Sequence, residues 1–264
     1  MANLPGVYRA TMKDGTEYFR SNITLRNKHI SLGSFPTMEL AHKAYLEAGK
    51  AFRSDIGLDD YNQDCVLPYN KFVSILNLRD NDIYFKTPIY LHRKYFSYYL
   101  SPDVILYFDA DDLFYYSNHS IMKRGNHLFV ADYGMQVNIL SRYGIREHAV
   151  RGRDYYFANG NPYDFRYGNV IIINRYHGVS HYTDKGRDIY KVKIHINGDY
   201  IVGRYDTEDE AAIAYNKAVD ILKKNGFKKS FPENYPESLS PSKYASIYSS
   251  LKISEKIMNL KPED

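Results

Sequence analysis

The sequence contains no tryptophan, a single cysteine, Cys65, and no run of about 18 apolar residues. A lone thiol cannot close an internal disulfide, and it has no partners for a Cys-rich zinc cluster, so both kinds of framework are excluded. The missing apolar run argues against a membrane-spanning helix. Met1 to Pro5 carry no basic stretch followed by an apolar one, as a secretory leader would. Together these features predict a soluble, intracellular protein in a reducing compartment. Glycine-rich nucleotide loops and a Ser-His-Asp arrangement are likewise not visible. The excess of one charge sign is small too: 35 Lys and Arg stand against 31 acids, a net charge of +4 that permits a polyanionic partner without demanding one.

The 264 residues are 44% hydrophobic and 25% charged, values of a folded globular chain with room for one to three compact units. Tyrosine is abundant, with 28 copies. Its rigid ring and hydroxyl serve binding surfaces and interiors alike.

An internal repeat organises the two ends. The first copy begins Gly6-Val7-Tyr8-Arg9, runs through Tyr18-Phe19-Arg20-Ser21-Asn22-Ile23-Thr24-Leu25, turns near Arg26-Asn27 and returns as Ile30-Ser31-Leu32-Gly33-Ser34-Phe35. The second begins Gly178-Val179-Ser180-His181, runs through Tyr190-Lys191-Val192-Lys193-Ile194-His195-Ile196, turns at Asn197-Gly198 and returns as Ile201-Val202-Gly203-Arg204-Tyr205. A helix follows each. Thr37, Ala41, Ala44, Tyr45 and Ala48 match Thr207, Ala211, Ala214, Tyr215 and Ala218, every pair 170 residues apart. The strands alternate apolar and polar residues, the period of a sheet with one dry face. Asn197-Gly198 is a strong two-residue hairpin signal with positive φ at both positions. Thr37 and Thr207 sit at N-cap positions, and Glu39, Glu208, Asp209 and Glu210 place negative charge in the first helical turn. The alanine stripes let each helix lie close to its sheet. Each copy is thus predicted to be a three-stranded antiparallel sheet backed by one helix.

The polar faces carry the candidate chemistry. The first copy offers Tyr8, Arg9, Tyr18, Arg20, Asn22, Thr24, Lys28 and Ser31, and the second Lys185, Arg187, Lys191, Lys193 and His195. These are donors and stacking groups with few acids. Arg and Lys bond guanine edges or phosphates and Asn pairs with adenine, so the faces suit double-stranded DNA; the alternative is an ordinary solvated sheet surface.

Gly-Val-(Tyr/Ser), an aromatic-led alternating strand, (Leu/Val)-Gly-x-(Phe/Tyr)-x-Thr and an Ala-x-x-Ala-Tyr helix resemble the Apetala-two/ethylene-response-factor DNA-binding domain over about 100 residues in both copies. The resemblance implies major-groove reading through the sheet. Phe19 and Tyr190 stand at a position where plant members carry tryptophan, and the second hairpin is one residue shorter.

Between the copies, Tyr156-Phe157-Ala158-Asn159-Gly160-Asn161-Pro162-Tyr163-Asp164-Phe165-Arg166-Tyr167-Gly168-Asn169-Val170 resembles the core of HNH homing endonucleases. In that comparison Phe157 replaces the water-activating His and Tyr156 the metal-binding Asp, and the later ligand position falls near His177 and Gly178, so the site lacks a base and a ligand. Asn159, Gly160, Asp164, Arg166 and Asn169 remain as elements that hold the turn and a following helix. Asp109, Asp111, Asp112 and His119 read as a solvated acidic turn rather than a metal site. Arg142, Arg146, His148, Arg151 and Arg153 form the densest basic stretch, suited to tracking phosphates or to a solvated surface. Lys223, Lys224, Lys228 and Lys229 have the same two readings, with complementation of a helix C-terminus as the local one. Residues from Ser240-Pro241 to about 261 predict a C-terminal helix that docks on the body or pairs with a second copy.

The expected fold is α+β, with boundaries of 1–53 for the first Apetala-type module, 54–83 for a linker with a short helix, 84–176 for a degenerate HNH domain of the ββα-metal type, 177–230 for the second module and 231–264 for the helical tail. The expected function is sequence-specific double-stranded DNA binding without catalysis, metal or cofactor, in a transcriptional regulator of phage or mobile-element origin located in the bacterial cytoplasm. Two alternatives stand beside it: an active HNH endonuclease or nickase drawing on His119, His148 or His177, and a protein-interaction module using the tyrosines.

Overall fold

The structure is a computed structural model that describes residues 4–62, 64–147 and 149–262. The chain is mixed α+β, and its described strands form four three-stranded antiparallel sheets and one two-stranded sheet. It divides into two compact units, residues 1–139 with 159–169, and residues 140–158 with 170–264. Each unit carries one copy of the repeat. No described helix is long and apolar enough to cross a membrane.

In the first unit, β1 (Val7–Thr11), β2 (Glu17–Leu25) and β3 (Lys28–Phe35) form the expected antiparallel sheet, with α1 (Met38–Arg53) behind it. Arg26 and Asn27 at the β2–β3 turn have φ of 45° and 62°, the left-handed pair that matches the twist of the flanking strands. The Thr37 hydroxyl accepts from the Leu40 N–H at 3.2 Å, capping α1. Ala41, Ala44, Ala48 and Ala51 are fully buried.

Residues 54–83, expected to be a linker with a short helix, instead contain a packed structural element. Here α2 (Tyr69–Asn81) adds Phe72, Ile75, Leu76 and Leu78 to the core that Ile23, Ile30 and Leu32 begin. Arg79 fastens it, donating to the carbonyl oxygens of Ala51 in the last turn of α1 and of Ser54 and Ile56 just past it, at 2.7–3.0 Å. Burial on nearly every side, rather than on one stripe, is why periodicity understated this helix. The unit continues with β4 (Ile89–Leu91), β5 (Tyr95–Ser101) and β6 (Val104–Asp109), a short α3 (Leu113–Asn118), and the meander β7 (Ile121–Arg124), β8 (His127–Asp132) and β9 (Met135–Asn138).

The second unit contains the hairpin β10 (Tyr155–Phe157) and β11 (Val170–Ile172), then β12 (Val179–Asp184), β13 (Arg187–His195) and β14 (Asp199–Tyr205), backed by α4 (Glu208–Lys224). Thr207 caps α4 as Thr37 caps α1, accepting from the Glu210 N–H at 3.2 Å. Asn197 and Gly198 do lie in the β13–β14 connection, but neither has positive φ. The loop spans three residues between the paired His195 and Asp199, which removes the left-handed requirement of a two-residue turn. The positive-φ pair is found at Lys185-Gly186, between β12 and β13.

A second device repeats besides the caps. Gly6 and Gly178 precede the first strand of their sheets with φ of 75° and 74°, and each lies against the tyrosine of its helix, Tyr45 or Tyr215. Their carbonyl oxygens accept from the N–H groups of Asn22 and Lys193 at 2.9 and 2.8 Å, at the register shift in the middle strand of each sheet.

The predicted tail helix is two helices. The Lys217 ammonium donates to the carbonyls of Tyr248 and Leu251 and so ends α5 (Pro241–Ser250). The chain then extends, and the Ser254 N–H bonds the Val202 carbonyl at 2.9 Å before α6 (Glu255–Met258) begins. Ile253 and Ile257 complete the core of Val192, Ile194, Val202 and the α4 alanines.

A Gly178→Ala substitution adds a Cβ at positive φ, 2.6 Å from the Tyr215 ring, and is expected to cost roughly 2–4 kcal/mol. Gly198→Ala meets open space at an ordinary φ, and its denaturant midpoint should stay within about 0.5 kcal/mol of wild type. Urea titration of both variants checks the contrast.

Candidate nucleic-acid interface

Pleating sorts the first copy's candidates. Tyr8, Tyr18, Arg20, Asn22, Thr24 and Ser31 share the outward face, because Tyr8 pairs with Arg20 and Asn22 with Ser31 across the sheet. Arg20 donates to the Tyr18 hydroxyl at 2.7 Å, and its guanidinium carbon lies 5.5 Å from that ring's centre. Tyr8 is 55% exposed. Arg9 and Lys28 do not join them. Arg9 pairs with Phe19 and Lys28 with Leu25, positions of the opposite register, and Arg9 forms an ion pair with Glu17. Two members were overlooked: His29 opposite Thr24 and Ser34 opposite Arg20. A two-residue turn at Arg26-Asn27 sets the register near the turn, so counting outward from it would have located His29, whereas Ser34 reaches Arg20 only through the register shift at Ser21/Asn22, which the sequence does not mark. No carboxylate stands among these outward positions.

The second copy's face is less uniformly basic. Lys191 is flanked by Ser180 and Arg204, and Lys193 by Ile201. Arg204, overlooked in the sequence, donates to the Tyr182 hydroxyl at 3.2 Å. Arg187 pairs in register with Asp184, and Lys185 occupies the turn with φ of 49° rather than the face. Asp199 engages two of the expected contacts: its carboxylate lies 2.9 Å from His195 Nδ1 and 3.5 Å from Lys193 Nζ. The His195 hydrogen bond and the Lys193 charge hold that carboxyl below the usual carboxylate range.

Within the same unit, part of the basic stretch comes beside this face. Arg146, Arg153, Lys193 and His195 line one concavity of about 210 Å³, together with Arg175 and His177. Two of these cations also have structural work. Arg146 donates to the Glu233 carbonyl at 2.9 Å, and Arg153 clasps the buried Asp154 carboxylate with bonds of 2.9 and 2.6 Å. Arg142 lies on the short 3-10 helix Ile139–Tyr143, and Arg151 is exposed beside Tyr155, outside the lining. Of the four lysines near the end of α4, Lys229 bonds the His195 and Ile196 carbonyls and Lys223 lies 3.5 Å from Glu233. His177 of the lining is held by Asn234, which sequence reasoning missed. Fully buried, it accepts from the His177 N–H at 2.8 Å and donates to the His177 carbonyl at 3.0 Å. An isolated Asn outside any repeat gives no periodic or motif signal.

The nuclease-like stretch is a hairpin with a long loop. Tyr156 is 44% exposed and Phe157 is buried on β10, so neither position presents a proton acceptor or a carboxylate. The side-chain bonding expected of the loop is present. Asn169 accepts from the Asn159 N–H at 2.8 Å, the Asn159 amide donates to Asp164 at 2.7 Å, and Arg166 grips Asp164 through two bonds of 2.8 and 2.6 Å. The helix expected after the turn is absent, since β11 leads through a short turn into β12. Loop residues 159–169 instead add to the β6 edge of the first unit, where the Tyr107 N–H donates to the Tyr163 carbonyl, the Phe165 N–H donates to the Tyr107 carbonyl and the Tyr167 N–H donates to Asp109 at 2.7 Å. Asp109 and the buried Asp112 therefore form a structural contact with the loop rather than a solvated turn.

Two histidines of the nuclease alternative pack against tyrosine rings. His119 stacks on Tyr115 at 4.2 Å and lies 3.6 Å from Asp132, His177 meets the Tyr215 ring edge-on, and His148 lies outside the described residues. Among the described residues no group of three or more His, Cys, Asp or Glu is arranged to hold a metal ion. Comparison with protein-family models, curated proteins and solved structures finds no match.

Burial pushes the Asp164 carboxyl up, but the Arg166 guanidinium and N–H and the Asn159 amide outweigh it and hold the group below its ordinary 3.8. A depressed folded-state value adds stability above the unfolded carboxylate value and loses it as pH falls through the folded one. Asp164→Asn should accordingly flatten the acid limb of the stability curve below about pH 4, measured by urea denaturation across pH.

Proposed function

We propose that the protein binds double-stranded DNA sequence-specifically through its two outward sheet faces and does not cut it, acting as a cytoplasmic transcriptional regulator descended from a homing endonuclease of phage or mobile-element kind. The observation that carries this reading is the acid-free outward face of β1–β3, where Tyr18, Arg20, Asn22 and Thr24 stand in register. Three strands about 4.8 Å apart form a ribbon narrow enough for a major groove about 12 Å wide. On that ribbon a guanidinium can bond the two acceptors of guanine and a carboxamide the acceptor and donor of adenine. The matching ribbon of β12–β14 offers Lys191 and Arg204 at the corresponding place. Tethering two such faces in one chain raises the local concentration of the second once the first has engaged. The replacement of base and ligand by Phe157 and Tyr156 supports binding without hydrolysis.

Selection from random duplexes followed by footprinting tests the reading. The wild type should protect a defined site and leave it uncut in Mg²⁺ or Mn²⁺. Arg20→Ala should relax preference at one base pair by about 1–3 kcal/mol, and the Arg20→Ala/Lys191→Ala double variant should lose the footprint while keeping its melting temperature. An unchanged footprint in the double variant, or metal-dependent cleavage by the wild type, would overturn it.

A further inference from the structure

The concavity in the second unit has a composition that base reading does not explain. β12 begins at Val179, opposite Val192, so the end of β13 that carries Lys193 and His195 has no strand partner on that side. Arg146, Arg153 and Arg175 line the concavity with those two residues. Ser180, Lys193 and Asp199 line it as well as standing on the outward sheet face, so it opens at the margin of that face.

Four permanent cations there, Arg146, Arg153, Arg175 and Lys193, meet two carboxylates, Asp154 and Asp199. Both carboxylates are engaged, Asp154 by Arg153 and Asp199 by His195 and Lys193. Arg146 is held by a carbonyl and a carboxamide oxygen, which orient the guanidinium without neutralising it. Arg175 is 71% exposed and only 3.9 Å from Glu208, a weak surface pair that leaves its donors for another acceptor. Converging guanidinium groups with a net positive charge suit a tetrahedral oxyanion.

We propose that this cleft is a phosphate clamp that seats one backbone phosphodiester of the duplex lying on the β12–β14 face. The inference rests on the duplex-binding reading and adds to it a contact that carries register rather than sequence. The continuity of the cleft with the sheet margin favours a backbone phosphate over a free one.

The test uses the full chain, a selected duplex and salt between about 50 and 200 mM. Arg175→Ala should weaken binding roughly ten-fold, make the slope of log affinity on log salt shallower by about 1, and leave base preference and melting temperature unchanged. Arg175→Glu should weaken binding further. Scanning the duplex with single methylphosphonates should find one position that impairs the wild type and is silent in Arg175→Ala. An unchanged slope and an unaltered methylphosphonate profile would overturn the clamp while leaving sheet-face binding intact. Failure of the wild type to retain any duplex would overturn both readings. Inorganic phosphate alone is the second arm: if it raises the melting temperature of the wild type but not of Arg175→Ala, and the duplex slope does not change between them, the cleft takes free phosphate and the backbone assignment is wrong.

Discussion

A helix can back a small twisted sheet closely only where methyl groups meet it, and both copies of the repeat are built around that limit. Ala41, Ala44 and Ala48 in one unit, and Ala211, Ala214 and Ala218 in the other, are fully buried against their sheets. The close approach brings a helix tyrosine onto the backbone before the first strand, where only glycine leaves room. The glycine carbonyl then ties the middle strand at its register shift. Backing helix, edge strand and middle strand are thus fixed relative to one another, and the outward face needs no packing of its own. That leaves its side chains available for a partner.

Small sheets bury little apolar area, and polar bonding makes up the difference in the connecting segments. The loop at 159–169 is held by Asn159, Asp164, Arg166 and Asn169, residues that belong to a catalytic motif in the resemblance but here close a scaffold. Asn234 plays the corresponding part in the second unit, pinning the segment before β12 through the N–H and carbonyl of His177 while its own N–H donates to the Asn216 side chain of α4. Arg79 and Lys217 likewise gather carbonyl oxygens at the ends of helices, where the helix dipole favours a cation. Such arginines and lysines are committed to the fold, and a count of basic residues overstates the charge left free at the surface.

The two outward faces are consequently unequal. The first presents Arg20, Asn22 and Thr24 among hydroxyls and rings, with no carboxylate nearby in register. The second sets Asp199 against His195 and Lys193 and includes Ile189 and Ile201 among its outward positions. The first face is therefore a field of hydrogen-bonding groups free of opposing charge, and the second is a mixed face with a cationic cleft at its margin.

Local chemistry in the sequence determined the repeat, the strand alternation, both threonine caps and the alanine stripes, because each rests on residues a few positions apart. It determined the loop bonding of Asp164 for the same reason. Tertiary structure alone decided that Arg9 and Lys28 turn away from the face, since a single step of register moves a side chain to the other side of a sheet. It also decided that residues 54–83 pack as part of a core, that the tail breaks at Leu251, and that Arg146, Arg175 and Lys193 line one cleft. Those outcomes depend on partners tens of residues away, and no periodicity or motif records which distant carbonyl or carboxylate a long side chain will meet.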